Sequence, residues 1–261
     1  MGIIAGWLQL PVWQLLLALA GFYAATGIAI HWLAFHSPAS RWTLSFNGVV
    51  GPFFVSVILI FGLLHSFVAR EIWQRNGEAA QVVRAEGDAL RVLSHLTPES
   101  EPAAARIQDL IRAYAQSVIA DEWPQMQQGK GGVGSETAFA SLLTAIVDAP
   151  VSRSNTPAVQ RARIDIVLKL HTLRGTRLAI AGDTTDDIKW ATLLVLGLVA
   201  QIAIAAVHLE TPRPQIAALA IFSTAAIIAL GFVAIQERPF APPLAVSPEP
   251  LEEVIHEVAA R

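Results

Sequence analysis

At 261 residues, with a formal net charge of −3 and only 15% charged against 54% hydrophobic side chains, the chain is too apolar for an ordinary soluble enzyme; soluble domains carry roughly 25% charged residues. It has no basic stripe to neutralise phosphates, which argues against nucleic acid as a partner. It has no cysteine, so disulfides, thiolate metal sites and cysteine nucleophiles are excluded together.

Four stretches lack any Lys, Arg, Asp or Glu: 1–40, 42–69, 190–209 and 214–236. A helix needs roughly 20 mostly apolar residues to cross a hydrocarbon core of about 30 Å, and each stretch supplies them. The first lacks the Lys/Arg-rich start of a secretory signal, and it outruns the about 7–15 apolar residues of one, so it reads as a retained span. That span is placed at 12–33, with Trp7, Trp13 and Trp32 near its ends, where indole rings favour the headgroup layer. Pro11 suits its first turn. The second span is placed at 49–68, with Gly51-Pro52 at its entrance.

No proline occurs from Phe53 to Thr97. One helix can therefore leave the membrane through Arg70, Trp73 and Arg75 and continue into solvent, 40 residues of it covering roughly 60 Å. Gly77 and Gly87 weaken that helix without forbidding it. Val83, Leu90, Leu93 and Leu96 keep its apolar stripe one-sided. The stretch 70–189 holds 14 of the 18 Lys and Arg residues. That bias places the block between the hairpins, and both termini, in the cytoplasm.

Within the block, Ile107, Leu110, Ile111, Tyr114, Val118 and Ile119 follow a helical period that Pro124 is expected to end. A Gly- and Gln-rich loop follows. Further helices are predicted over 135–148, capped by Ser135, and over 157–181, capped by Thr156 with Pro157 at its first position. Before the third span (190–209), Thr184 and Asp187 have capping-box spacing. Lys189 and Trp190 mark the interface. A tight return, Glu210 to Pro214, leads into the fourth span (214–236), which stops at Glu237-Arg238-Pro239. A short last helix is expected over 251–260, with Leu251, Val254, Ile255 and Val258 on one face.

No run of alternating residues suggests a strand. The predicted fold is an all-α membrane protein with four transmembrane helices and a cytosolic helical bundle inserted between the second and third. Its parts are a transmembrane hairpin (1–69), the cytosolic domain (70–187), a second hairpin (188–238) and a cytosolic tail (239–261).

Catalytic and metal signatures are missing. The run Gly129-Lys130-Gly131-Gly132-Val133-Gly134-Ser135 is not a phosphate loop, because a lysine must directly follow the last glycine and a strand must precede it. The seven histidines show no zinc-hydrolase spacing. His256, among Glu252, Glu253 and Glu257, fits a solvated helix face. With no nucleophile elbow and no isolated carboxylate pair, neither an enzyme, a cofactor nor a metal site is expected.

His65 differs, because it lies inside the second span, where ionisable groups are costly and face a bundle interior or a watery cavity. At 100° per residue, Val50, Phe54, Val57, Phe61, His65 and Val68 share one broad face, while Ser56, Gly62, Leu63 and Ser66 fall elsewhere. Periodicity alone favours packing within the chain or lipid contact for such a stripe, and the alternative is the hydrophobic neck of a pore, which gates by dewetting. Glu71, Glu78 and Glu86 descend below it and would each make a ring in a symmetric oligomer, partly cancelled by Arg70, Arg75 and Arg84. Gln201 and the small residues Gly27, Gly62, Gly197 and Gly231 read as helix-packing glue.

Several segments together resemble a known family. They are the second span running into Trp73 and Glu78-Ala79-Ala80, the run from Tyr114 through Val118 to Asp121-Glu122-Trp123-Pro124, the Arg161-Ala162-Arg163 helix, and the tail with Glu237-Arg238-Pro239-Phe240 and Ser247-Pro248-Glu249-Pro250-Leu251. Over roughly 48–251 the chain is similar to the bacterial bestrophin-like family of four-span proteins, named for kinship with bestrophin chloride channels. The resemblance implies a homo-oligomer, with a pentamer favoured, in the inner (cytoplasmic) membrane. Its second span would line a neck through Val50, Phe54, Val57, Phe61 and His65, and it would conduct small inorganic ions, with chloride the expectation. No acidic cluster resembles the bestrophin calcium clasp. The rival expectation is a non-conducting membrane-anchored scaffold or sensor whose cytosolic helices bind a partner.

Overall fold

A computed structural model describes residues 3–38, 40, 51–98, 103–130, 134–150 and 155–260. Among them there is no strand. The helices are α1 (Ile3–Leu8), α2 (Val12–Phe35), α3 (Gly51–His95), α4 (Ala104–Ser117), α5 (Trp123–Gln127), α6 (Glu136–Val147), α7 (Pro157–Gly182), α8 (Asp187–Val207), α9 (Pro212–Ile235) and α10 (Glu249–Ala259). A π-helical turn, Val118–Glu122, joins α4 to α5. The uninterrupted α3, 45 residues long, matches the proline-free run.

The chain divides into two compact units, Met1–Trp73 with Thr185–Glu237, and Gln74–Thr184 with Arg238–Arg261. The first contains α1, α2, the start of α3, α8 and α9. Its core joins Leu15, Leu19 and Tyr23 of α2 to Phe61, Val68 and Ile72 of α3, Trp190 and Leu193 of α8, and Leu230 and Val233 of α9. Two glycines permit the close approach. A methyl group at Gly197 would stand 2.0 Å from the Tyr23 hydroxyl, and one at Gly231 would stand 2.5 Å from Leu16. Gly62 has nothing within 4 Å and is not packing glue inside the chain.

Most of this unit's hydrocarbon faces outward: the apolar windows of α2 and α9 are only 17% and 28% buried. A water-soluble fold does the reverse, because apolar area left in water costs about 25 cal/mol per Å². Four helices are long and apolar enough to span a bilayer, and the chain is a multi-pass membrane protein. Trp13 and Trp32, both exposed, lie at opposite ends of α2, about 28 Å apart at 1.5 Å per residue. That separation matches a hydrocarbon core.

Most polar groups inside the unit are satisfied by one another, as a bilayer requires; the buried Tyr23 hydroxyl is the exception, with no hydrogen-bond partner among the described residues. The buried Gln201 side chain donates to the Tyr23 carbonyl (3.0 Å) and the Ser223 hydroxyl (2.9 Å) and accepts from Thr26 (2.7 Å), joining α2, α8 and α9. Gln215 bonds His31 (2.9 Å) and donates to the Ala205 carbonyl (3.0 Å). At the other end of α8 the predicted capping box does not form. The buried carboxylate of Glu237 instead accepts from the Thr185 backbone N–H (2.6 Å) and from Trp190 Nε1 (3.2 Å). The short α1 was not anticipated. It brings Trp7 edge-on to Trp190, with ring centres 5.6 Å apart, and Trp7 Nε1 donates to the Leu15 carbonyl (3.1 Å).

The second unit is a helical bundle around Ala79, Val83, Leu90 and Leu93 of α3, Ile107, Ile111 and Tyr114 of α4, Leu142 and Ile146 of α6, and Val167 and Leu170 of α7. Thr156 caps α7 as expected, accepting from the Val159 N–H. Ser135 precedes α6 but makes no capping bond. Pro124 does not end the helical path. The π turn widens the helix just ahead of it, so the proline sits in the first turn of α5, where its missing N–H is tolerated. The tail closes onto this unit through Leu251, Val254 and Val258 of α10, and Phe240 meets Trp123 edge-on at 5.4 Å.

Candidate functional site

Within the first unit, α3 presents two different faces. On one, Phe61 is buried against Phe222 of α9, ring centres 5.9 Å apart, and stacks on His65 at 6.4 Å. His65 Nε2 lies 3.2 Å from the Ala229 carbonyl. A carbonyl only accepts, so that nitrogen carries the proton. Phe54 and Val57 are half-buried, and Phe54 borders a cleft of about 430 Å³ with Ile58, Ile204 and Phe222. Val50 lies outside the described residues. The structure thus brings Phe54, Phe61 and His65 to the side of α3 that packs on α9.

The opposite face is left uncovered by the described residues. Val55, Leu59, Leu63 and Phe67 recur every four residues and are each more than half exposed. Ser56 and Ser66, on the same side, return their hydroxyls to the Pro52 (3.4 Å) and Gly62 (2.7 Å) carbonyls of their own helix. This face therefore asks nothing polar of its surroundings. Period analysis alone could not favour it, because a helix apolar all round has no polar side to orient it.

The three acidic residues expected to form rings have separate roles. Glu71 pairs with Lys189 (2.7 Å). Glu78 is exposed and accepts from Gln74 (2.9 Å). Glu86 is fully buried in the second unit, so the ring expectation is corrected there.

Around Glu86 the second unit builds a closed ionic circuit that sequence analysis missed. Arg177 Nε donates to Glu86 Oε2 (2.7 Å), and its Nη2 reaches Glu122 Oε2 (2.9 Å). Arg174 donates to Glu122 Oε1 from Nη2 (2.6 Å) and Nε (2.9 Å). The Ser135 hydroxyl donates to Glu122 Oε1 (2.6 Å) and accepts from Arg174 (3.0 Å), while Tyr114 donates to Glu86 Oε1 (2.5 Å). Val118 and Glu122, at the two ends of the π turn, are both buried. Two carboxylates meet two guanidiniums, so the buried charge sums to zero.

Burial alone would raise the Glu122 carboxyl, but the bonds from Arg174 and Ser135 and the charge of Arg177 outweigh it and hold it below its ordinary value. Burial and the adjacent Glu86 carboxylate push the Tyr114 phenol upward. Burial opposes the charge of Arg177, and Glu86 more than restores it. The only signals in the sequence were the Glu-Trp-Pro run and arginines spaced three apart on α7, too common to assign a partner across more than 50 residues.

A family model described as a bestrophin-like domain matches residues 21–251. Three crystal structures of a bacterial bestrophin homologue from Klebsiella pneumoniae are similar in fold. The tryptophan-to-alanine variant superposes with a TM-score of 0.70 at 13% identity, over 96% of this chain and 98% of that one. The leucine-to-threonine variant gives 0.64 at 14% identity over 94% and 98%. An aspartate-to-alanine variant gives 0.65 at 13% over 94% and 96%. No curated protein matches the chain.

Proposed function

Because this chain belongs to the bestrophin-like family, we propose that it is a homo-oligomeric ion channel, with a pentamer favoured, in which copies of α3 surround the passage. The observation that carries the proposal is the uncovered apolar face of the unbroken α3. A ring of such faces makes a narrow greasy constriction whose wetting controls conduction, so its width sets the open fraction. Chloride is the proposed ion, on the strength of the family's namesake. The second unit and both termini are assigned to the cytoplasm of a bacterial inner membrane by the lysine and arginine bias.

Two faces of α3 compete to line the constriction. The face read from periodicity holds Val50, Phe54, Val57, Phe61 and His65, and the uncovered face holds Val55, Leu59, Leu63 and Phe67. We favour the uncovered face, since Phe61 and His65 already have partners on α9. Chloride flux from liposomes reconstituted with Leu63→Ala and with Phe61→Ala separates the two. The expected result is a raised flux for Leu63→Ala, with Phe61→Ala acting on stability. A raised flux for Phe61→Ala with Leu63→Ala silent returns the constriction to the first face. Wild-type liposomes that pass neither chloride nor potassium would leave the scaffold reading in its place.

A further inference from the structure

Glu86 lies on the back of α3 relative to the exposed positions of the second unit, Gln74, Gly77, Gln81, Arg84, Asp88 and His95. The apolar contacts on that back, Ala79, Val83, Leu90 and Leu93, keep one side of the helix inward but are individually non-directional, and the directional bonds Arg91 to Glu253 and Ser94 to Gln108 (2.8 Å) act only further along it. A guanidinium fork is directional. Buried ion pairs also contribute little net stability compared with apolar packing, and their best-attested use is to select one arrangement among several. Glu86 is the only acid of α3 in the circuit, and it meets Arg177 through both carboxylate oxygens (2.7 and 3.3 Å) and Tyr114 through one.

We propose that Glu86 is a positioning residue: held by Arg177 and Tyr114, it sets the rotation at which α3 presents Gln81, Arg84 and Asp88 to the ion path. The proposal rests on the channel reading for the ion path and on the ionic circuit for the rotation. Charge bookkeeping around the circuit gives it a signature. Glu86→Gln leaves one buried positive charge uncompensated, Arg177→Gln one negative, and the double variant none, since Glu122 and Arg174 still pair.

The chain has no cysteine, so single introduced thiols report cleanly on the full-length protein in nanodiscs. Gln81 is exposed and Ala85 half-buried. The measurement is the ratio of reaction rates of Gln81→Cys and Ala85→Cys with a charged thiol reagent, alongside melting temperature and single-channel current. In the Glu86→Gln background the ratio is expected to fall about threefold or more, with altered unit conductance, and in the Glu86→Gln/Arg177→Gln background to return to within about twofold of its starting value. If Glu86→Gln is too unstable to reconstitute, Arg177→Lys serves instead, keeping the charge and losing the fork. A lowered melting temperature with an unchanged ratio overturns the role of Glu86 and leaves the channel reading standing. A wild-type protein without current overturns the channel reading, and the ion path with it, while the thiol ratio still decides the rotation.

Discussion

Single side chains in this protein differ mainly in who their partners are, and Glu122 shows how much that matters. Its pKa lies below the unfolded value because Arg174, Ser135 and Arg177 favour the ionised form over the cost of burial. A depressed carboxyl stabilises the fold above its unfolded pKa, about 4.3 for glutamate, and that stabilisation drains away as pH falls towards the folded value. Thermal unfolding followed by circular dichroism in detergent between pH 7 and pH 3 should therefore show an acid-side loss of melting temperature. Glu122→Gln should be less stable at neutral pH and should flatten that acid limb. An acid limb of unchanged steepness would remove Glu122 as its source. The same partnering defeated inspection of the sequence. Glu86 and Arg177 stand 91 positions apart, and the sequence suggested for Glu86 only a ring across copies of the chain and for Arg177 no role at all.

At the scale of elements, the sequence was informative wherever a local rule governs. The proline-free run from Phe53 to Thr97 became α3, the Thr156-Pro157 start became α7, and charge-free runs became α2, α8 and α9. Thr156 makes the capping bond its position implies. Thr156→Ala should cost about 1 kcal/mol, read as a lower denaturation midpoint, and Thr156→Ser should recover most of it. Local rules failed where the partner comes from elsewhere. Ser135 spends its hydroxyl on Glu122, not on its own helix, and the start of α8 is served by Glu237, not by Thr184. The π turn was likewise illegible, because it begins at Val118, where the apolar period read from Ile107 to Ile119 runs out, and too few residues follow before Pro124 to reveal a change of phase. The orientation of α3 was hidden for a different reason. Its upper part is apolar on every side, and only the neighbours in the fold show which side is already occupied.

For the whole molecule, the quantity to explain is the amount of apolar surface left uncovered in the first unit. Lipid can solvate α2, α8 and α9. The uncovered face of α3 adds a row of large side chains from Val55 to Phe67 that the proposed assembly would bury around a shared axis. Native mass spectrometry from mild detergent should then report a closed ring, expected at five copies. Substituting Leu59 and Phe67 with serine together should leave the ring standing if those residues face an open passage, and dissolve it if they are the contact between copies. A purely monomeric wild type would contradict assembly through α3 altogether.

The carboxylate of Glu237 bears on how such a chain is made. Its partner Trp190 precedes it by 47 residues, so during synthesis the head of α8 enters the bilayer before its acceptor exists. The hairpin of α8 and α9 can be fastened at its base only after the fourth span has been threaded and residue 237 has left the ribosome. Until then the Trp190 indole N–H and the Thr185 amide must be served by water or headgroups. Insertion and locking are thereby separated in time.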